Sequence, residues 1–286
     1  MRTLGVNTWV WTSPLDDASL ASIARKVSGW GYTGIELPVE SVGDWDPGRA
    51  RDVLADAGLA AFVVGAMAPG RDLVATDSAT VAATQDYLRA CIRIAAELGS
   101  PCVAGPFTAS TGRVWRMDAA ERATRIAELR ENLAPLVDEA GEAGVALAIE
   151  PLNRYETSLI NTVEQGLDAL GPLLGPALGL ALDSYHLNIE EKRPAEAVRA
   201  AAGNIAHVQV CGTDRGAVGD DHFDWPGFLD ALDDAGYAGA LTVESFTGDN
   251  ATIATAASIW RPLAETQDAL AERSLHALHA LLRERT

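Results

Sequence analysis

The chain has 286 residues, 48% hydrophobic and 22% charged, with a formal net charge of −18. That length buries a sizeable core, and the balance excludes a disordered or collagen-like polypeptide. Lysine occurs only as Lys26 and Lys192, and so acidic a surface repels phosphate backbones and anionic lipid, so neither nucleic acid nor membrane is expected as a partner. Cys91, Cys102 and Cys211 are the only cysteines and form no CxxC pair. Three scattered thiols fit a reducing compartment. The opening MRTLGVNTW lacks a charged-then-apolar leader, and no run of about 18 apolar residues is present to span a bilayer. The expectation is a cytoplasmic protein.

Short β-like runs alternate with longer, Ala-rich helical runs. The β-like runs are TLGVNTW (3–9), YTGIELP (32–38), LAAFVVGA (59–66), PCVAGPF (101–107), GVALAIEP (144–151), LGLALDS (178–184), IAHVQVC (205–211) and GALTVES (239–245). Helical patterns fall between them at 17–31, 83–99, 119–144 and 194–204, and a last one covers 261–285. Gly31, Gly58, Gly99, Gly144, Gly203 and Gly236 stand at or shortly before the next strand, where glycine ends a helix in the left-handed conformation. Strands separated by helices pair in parallel, and eight units of about 35 residues close into a (β/α)8 barrel. An open doubly wound sheet is the alternative, but NTWVWTSPLD after the first run carries no glycine for a phosphate loop. No linker or low-complexity segment divides the chain, so residues 1–286 are read as one domain.

Active sites of such barrels lie at the carboxyl ends of the strands. The last four β-like runs end on, or carry near their ends, Glu150, Asp183, Gln209 and Glu244, each behind an apolar stretch and about one βα unit apart. A lone acid there is usually a helix cap. Four successive oxygen-bearing side chains converging on one point need a counter-charge, because three neighbouring carboxylates do not all stay ionised without one. An all-oxygen set favours Mn²⁺ or Mg²⁺ over Zn²⁺, with Co²⁺ as a substitute. Trp9, Trp11 and Trp115 fall in loops on the same side, where Trp11 and Trp115 are candidate sugar-stacking faces.

The segments IEPLNRYE (149–156), LDSYHLNIEE (182–191), HVQVCGTDRGAVGDDHFDW (207–225) and VESF (243–246) resemble the xylose isomerase-like TIM barrel superfamily of sugar isomerases and epimerases. Within it the D-tagatose and D-allulose 3-epimerase type is most similar. The resemblance implies a metal bound by Glu150, Asp183, Gln209 and Glu244. It also implies substrate contacts from Glu156, His186 and Arg215, and Glu150 and Glu244 as paired acid/base groups. Three residues after Asp183, His186 is expected on the loop beyond the sixth strand. One position departs from the pattern: the third metal ligand of the 3-epimerases is a His, and here it is Gln209, as in hydroxypyruvate isomerases of the same superfamily. His207, two residues earlier, points to the same face of its strand and is expected one layer deeper in the barrel.

The chemistry implied is C3 epimerisation of an unphosphorylated ketose through a metal-stabilised cis-enediolate. The cation acidifies the proton beside the carbonyl, one Glu removes it and the other returns a proton on the opposite face. A hydroxypyruvate-type isomerase, or a lyase or deglycosidase of a 3-keto-sugar, is the alternative use of the same site. A non-catalytic sugar-binding or partner-subunit barrel is a third reading. Relatives often form homodimers or homotetramers, and the apolar positions of the last helical run permit either.

Overall fold

Eight short parallel strands carry the apolar runs: β1 (Leu4–Val6), β2 (Gly34–Val39), β3 (Ala60–Gly65), β4 (Cys102–Gly105), β5 (Ala146–Ile149), β6 (Leu178–Asp183), β7 (Ile205–Val210) and β8 (Leu241–Val243). These come from a computed structural model that describes residues 2–285. The strands form one sheet in the order β1-β8-β7-β6-β5-β4-β3-β2. The circle closes between β1 and β2 through a single bridge, Asn7 beside Glu36, and the Thr33 N–H donates to the Leu4 carbonyl at 2.9 Å just below it. The architecture is a single (β/α)8 TIM barrel; seven strands lie within the runs marked by the sequence, and β2 extends one residue beyond its run, to Val39.

The helices form the outer ring: α1 (Asp17–Trp30), α2 (Pro47–Ala57), α3 (Ser78–Leu98), α4 (Ala119–Glu142), α5 (Val163–Leu170), α6 (Ser184–Glu190), α7 (Pro194–Ala200), α8 (Trp225–Asp234), α9 (Ala251–Ala256) and α10 (Gln267–Arg283). Helix α1 shows the local logic. Asp16 caps it by accepting the Ser19 N–H at 2.7 Å, and Leu20, Ile23, Ala24 and Val27 repeat at helical spacing to bury one stripe. Gly31 then ends it at φ +106°, a conformation costly for other residues. Helix α10 packs Leu270, Ala271, Leu275 and Leu278 inward, and its Ala271 carbonyl accepts the Tyr32 hydroxyl at 2.8 Å. All three cysteines are buried and free, and among the described residues no helix is long and apolar enough to cross a membrane.

Pairing register sets the site. Asp183 lies beside Gln209, and Gln209 beside Thr242, so β6, β7 and β8 bring their carboxyl ends to nearly one level. Glu150 and Glu244 follow β5 and β8 directly, with backbone N–H groups held by the Gly105 and Val210 carbonyls at 3.0 and 3.1 Å.

Candidate functional site

A cleft of about 200 Å³ opens at the carboxyl ends of the strands, with Glu150, Glu156, His186, Arg215 and Glu244 in its wall. Asp183 and Gln209 lie beneath, each only 1% exposed. Asp183 serves two masters. Its Oδ1 caps α6 by accepting the Tyr185 N–H at 2.9 Å, while its Oδ2 accepts from Arg215 Nη1. One oxygen is thus used as a helix cap and the other in the ion pair with Arg215. Arg215 Nη1 also reaches Glu244 Oε2 at 3.0 Å, so one guanidinium nitrogen joins the acids of strands six and eight. The guanidinium is sandwiched between Tyr185 (4.0 Å to the ring centre) and Phe246 (5.2 Å). Its backbone is left-handed at φ +69°, and Ser245 Oγ donates to its carbonyl at 2.6 Å.

His186 stands in helix α6, not on a loop as the sequence suggested, and it is buried. Its Nδ1 accepts the Asn153 backbone N–H at 3.0 Å. Its Nε2 lies 3.2 Å from Arg215 Nη2 and faces Glu150 Oε1 at 3.4 Å and Asp183 Oδ2 at 3.6 Å. Burial, helped by Arg215, holds the His186 pKa well below its ordinary value. Glu156 lies on the loop after β5 and accepts from Asn153 Nδ2 at 2.7 Å.

The carboxyl groups hold protons unusually firmly. Burial, then the Glu244 and Asp183 carboxylates, raise the Glu150 pKa well above the usual range. Burial pushes Glu244 up to about 8 against the opposing pull of Arg215. Asp183 and Glu156 are raised by burial as well. Acids crowded in this way ionise together only beside added positive charge.

The donor set fits a divalent cation. Glu150 Oε1 and Gln209 Oε1 are both buried without a hydrogen-bond partner, an arrangement that is costly unless something else takes their lone pairs. One ligand atom each of Glu150, Asp183 and His186 lies within 4.8 Å of the others. His186, expected from the sequence as a substrate contact, thus also borders the cation cluster.

Two expected sugar-stacking residues lie elsewhere. Trp11 turns outward, donating from Nε1 to Asp268 Oδ1 at 2.7 Å and packing on Trp30 at 6.2 Å. Trp115 is packed against the core beside Arg113, and like Trp11 it is not part of the cleft wall. Trp9 lines the cleft instead, 5.5 Å from Phe246, with its Nε1 donating to Glu40 Oε1 at 2.9 Å. Glu36, missed in the sequence, is fully buried on β2 and accepts from Gln209 Nε2 at 2.9 Å, Asn7 Nδ2 at 2.6 Å and His207 Nε2 at 2.5 Å. The available signal was spacing. Glu36 and Glu40 are four residues apart on an extended run, so they share a face, and both interrupt apolar sequence. His207 lies in the layer beneath, as its position suggested.

The fold and the site together define a (β/α)8 barrel with a buried, acidic, cation-fitting mouth. The chain belongs to the xylose isomerase-like TIM barrel family, whose model matches residues 24–273. Its relatives include ketose 3-epimerases. A probable ketose 3-epimerase of Synechocystis sp. is 29% identical over 274 residues, 96% of this chain and 94% of that protein. An L-ribulose 3-epimerase of Methylomonas sp. is 30% identical over 277 residues, 95% of this chain and 94% of that protein. Among solved structures, an L-ribulose 3-epimerase matches with a TM-score of 0.89 at 29% identity, covering 100% of this chain and 97% of that one.

Proposed function

We propose that the protein is a metal-dependent isomerase that epimerises an unphosphorylated ketose at C3. The observation that carries this reading is the pair Glu150 and Glu244. They enter one cleft from β5 and β8, and burial raises the proton affinity of both. Placed three strands apart, they can flank a sugar and work on opposite faces of one carbon, one accepting a proton while the other donates. A divalent cation held by Glu150, Asp183, Gln209 and Glu244 would supply Lewis acidity to the sugar carbonyl and its neighbouring hydroxyl oxygen. His186 and Arg215 would contact sugar oxygens, Glu156 would accept from a hydroxyl, and the Trp9 and Phe246 rings would exclude water from one side.

The lack of a phosphate follows from charge. Arg215 is the only Arg or Lys side chain in the cleft wall among the described residues, and it is committed to Asp183 and Glu244. A phosphate would meet Glu40, Glu150, Glu156 and Glu244 with no free cationic partner.

The name of one solved relative, a D-allulose 3-epimerase of Methylomonas sp. in complex with D-allulose, supports beginning with free hexuloses. Incubation with a panel of ketoses in D₂O and Mn²⁺, followed by NMR, tests the proposal. Deuterium at C3 in both epimers is the expected result. Deuterium at the aldose carbon instead would move the assignment to isomerisation, the outcome that Gln209 at the third ligand position would favour. No exchange on any ketose would refute the proposal.

A further inference from the structure

Glutamine is an awkward cation ligand, because its amide has an oxygen end that binds metal and a nitrogen end that repels it. The two are nearly equal in shape, so something must choose between them. Histidine ligands meet the same difficulty by donating their second ring N–H to a fixed acceptor, which orients the first. Gln209 has such an acceptor in Glu36, reached by its Nε2 at 2.9 Å. The second N–H goes to Glu244 Oε1 at 2.7 Å, but Glu244 is itself placed in the cation set and cannot orient Gln209 independently of it. With both N–H groups used, Oε1 is left buried and unpartnered.

Glu36 is in turn fixed by a residue of β7 and by the residue following β1. His207 Nε2 lies 2.5 Å from its Oε1, and Asn7 Nδ2 donates to Oε2 at 2.6 Å. Asn7 cannot flip, because its Oδ1 already accepts the Trp9 N–H at 2.8 Å. The His207 ring is packed beside Phe62 with centroids 5.6 Å apart. The orienting chain therefore runs from the Trp9 backbone through Asn7 to Glu36 and ends on Gln209, with His207 bracing the carboxylate from the other side.

We propose that Glu36 is a positioning residue that holds the Gln209 amide with its nitrogen inward and its oxygen toward the cation, letting a glutamine serve as third ligand. The assignment rests on the reading of Gln209 as a ligand. Glu36 never touches substrate or ion. Its effect falls on cation affinity.

The test is Mn²⁺ binding without sugar, titrated by electron paramagnetic resonance, on wild type, E36A and E36A/Q209E. E36A should bind about 10–100-fold more weakly, the usual effect of removing a partner behind a ligand. E36A/Q209E should recover most of that loss, because a carboxylate has no wrong end to present, and it returns the charge removed at position 36. Wild-type affinity in E36A, or a double variant as weak as a folded E36A, would overturn the proposal. Should E36A fail to fold, the wild-type Mn²⁺ crystal structure decides: Gln209 Nε2 on Glu36 with Oε1 on the ion supports the assignment, and Nε2 turned away from Glu36 overturns it. Failure of wild type to bind Mn²⁺ stoichiometrically would instead overturn the cation reading beneath it.

Discussion

Glu150→Gln separates chemistry from architecture. Glu150 is 8% exposed and its Oε1 has no hydrogen-bond partner, so an amide there removes no internal hydrogen bond at that atom. In metal-free protein the neighbouring acids and burial keep this carboxyl protonated well above the usual range. An uncharged isostere is therefore close to its resting state, and the melting temperature in EDTA should stay within a few degrees of wild type. Catalysis should not survive, since glutamine cannot accept a proton. Loss of one acid/base group costs about 10²–10⁴-fold in rate, or about 3–5 kcal/mol of barrier at roughly 1.4 kcal/mol per tenfold, and the lost ligand adds to that. NMR detection of C3 deuterium exchange gives the rate, and calorimetry gives the stability. Turnover within tenfold of wild type would refute the acid/base assignment. A collapse in melting temperature would show that the carboxyl holds the fold instead.

Three further outcomes follow. Stability of the metal-free protein should fall as pH rises from about 4.5 to about 8. Across that window the unfolded chain releases the proton of Glu244 while the folded chain, with its pKa at about 8, retains it; Glu150, Asp183 and Glu156 act in the same direction. His186 alone among the cleft acids and bases works oppositely, through its lowered pKa. Melts in EDTA from pH 5 to 9 check the sign, and a steady rise would contradict it. Arg215→Leu leaves Asp183 and Glu244 buried without their shared partner and should cost about 3–5 kcal/mol in EDTA, with much of it restored by saturating Mn²⁺. Equal losses with and without Mn²⁺ in denaturant titrations would contradict the shared-charge account. Trp9→Ala should raise KM, whereas Trp11→Ala should lower the melting temperature through lost packing on Trp30 and leave KM unchanged. Kinetics and melts of the two variants would expose a reversed assignment.

The acids at the strand ends were legible because each follows an apolar run, and the helix-length gaps between runs put those ends on one side of the barrel. The carboxyl ends of β5 to β8 could therefore be placed together from sequence. Glu36 was not legible by that rule. It lies inside β2 and not at its end, and its partners come from β7 and the residue following β1, contacts that exist only once the barrel closes. The choice between Trp9 and Trp11 depended on a short 3-10 turn at Thr8–Val10, which sends side chains two apart to opposite sides. A strand-then-loop reading has no means of seeing that rotation. His186 was expected on a loop, because apolar periodicity over α6 is too brief to announce a helix of seven residues. The capping Asp183 and the helix it starts are what bring His186 back over the acids.

Anomalous diffraction from crystals grown with Mn²⁺ tests the whole account most directly. It should show one peak with oxygens of Glu150, Asp183, Gln209 and Glu244 all within about 2.6 Å. No peak at the mouth of the barrel, or an ion held by His186 with the Gln209 oxygen turned away, would contradict it.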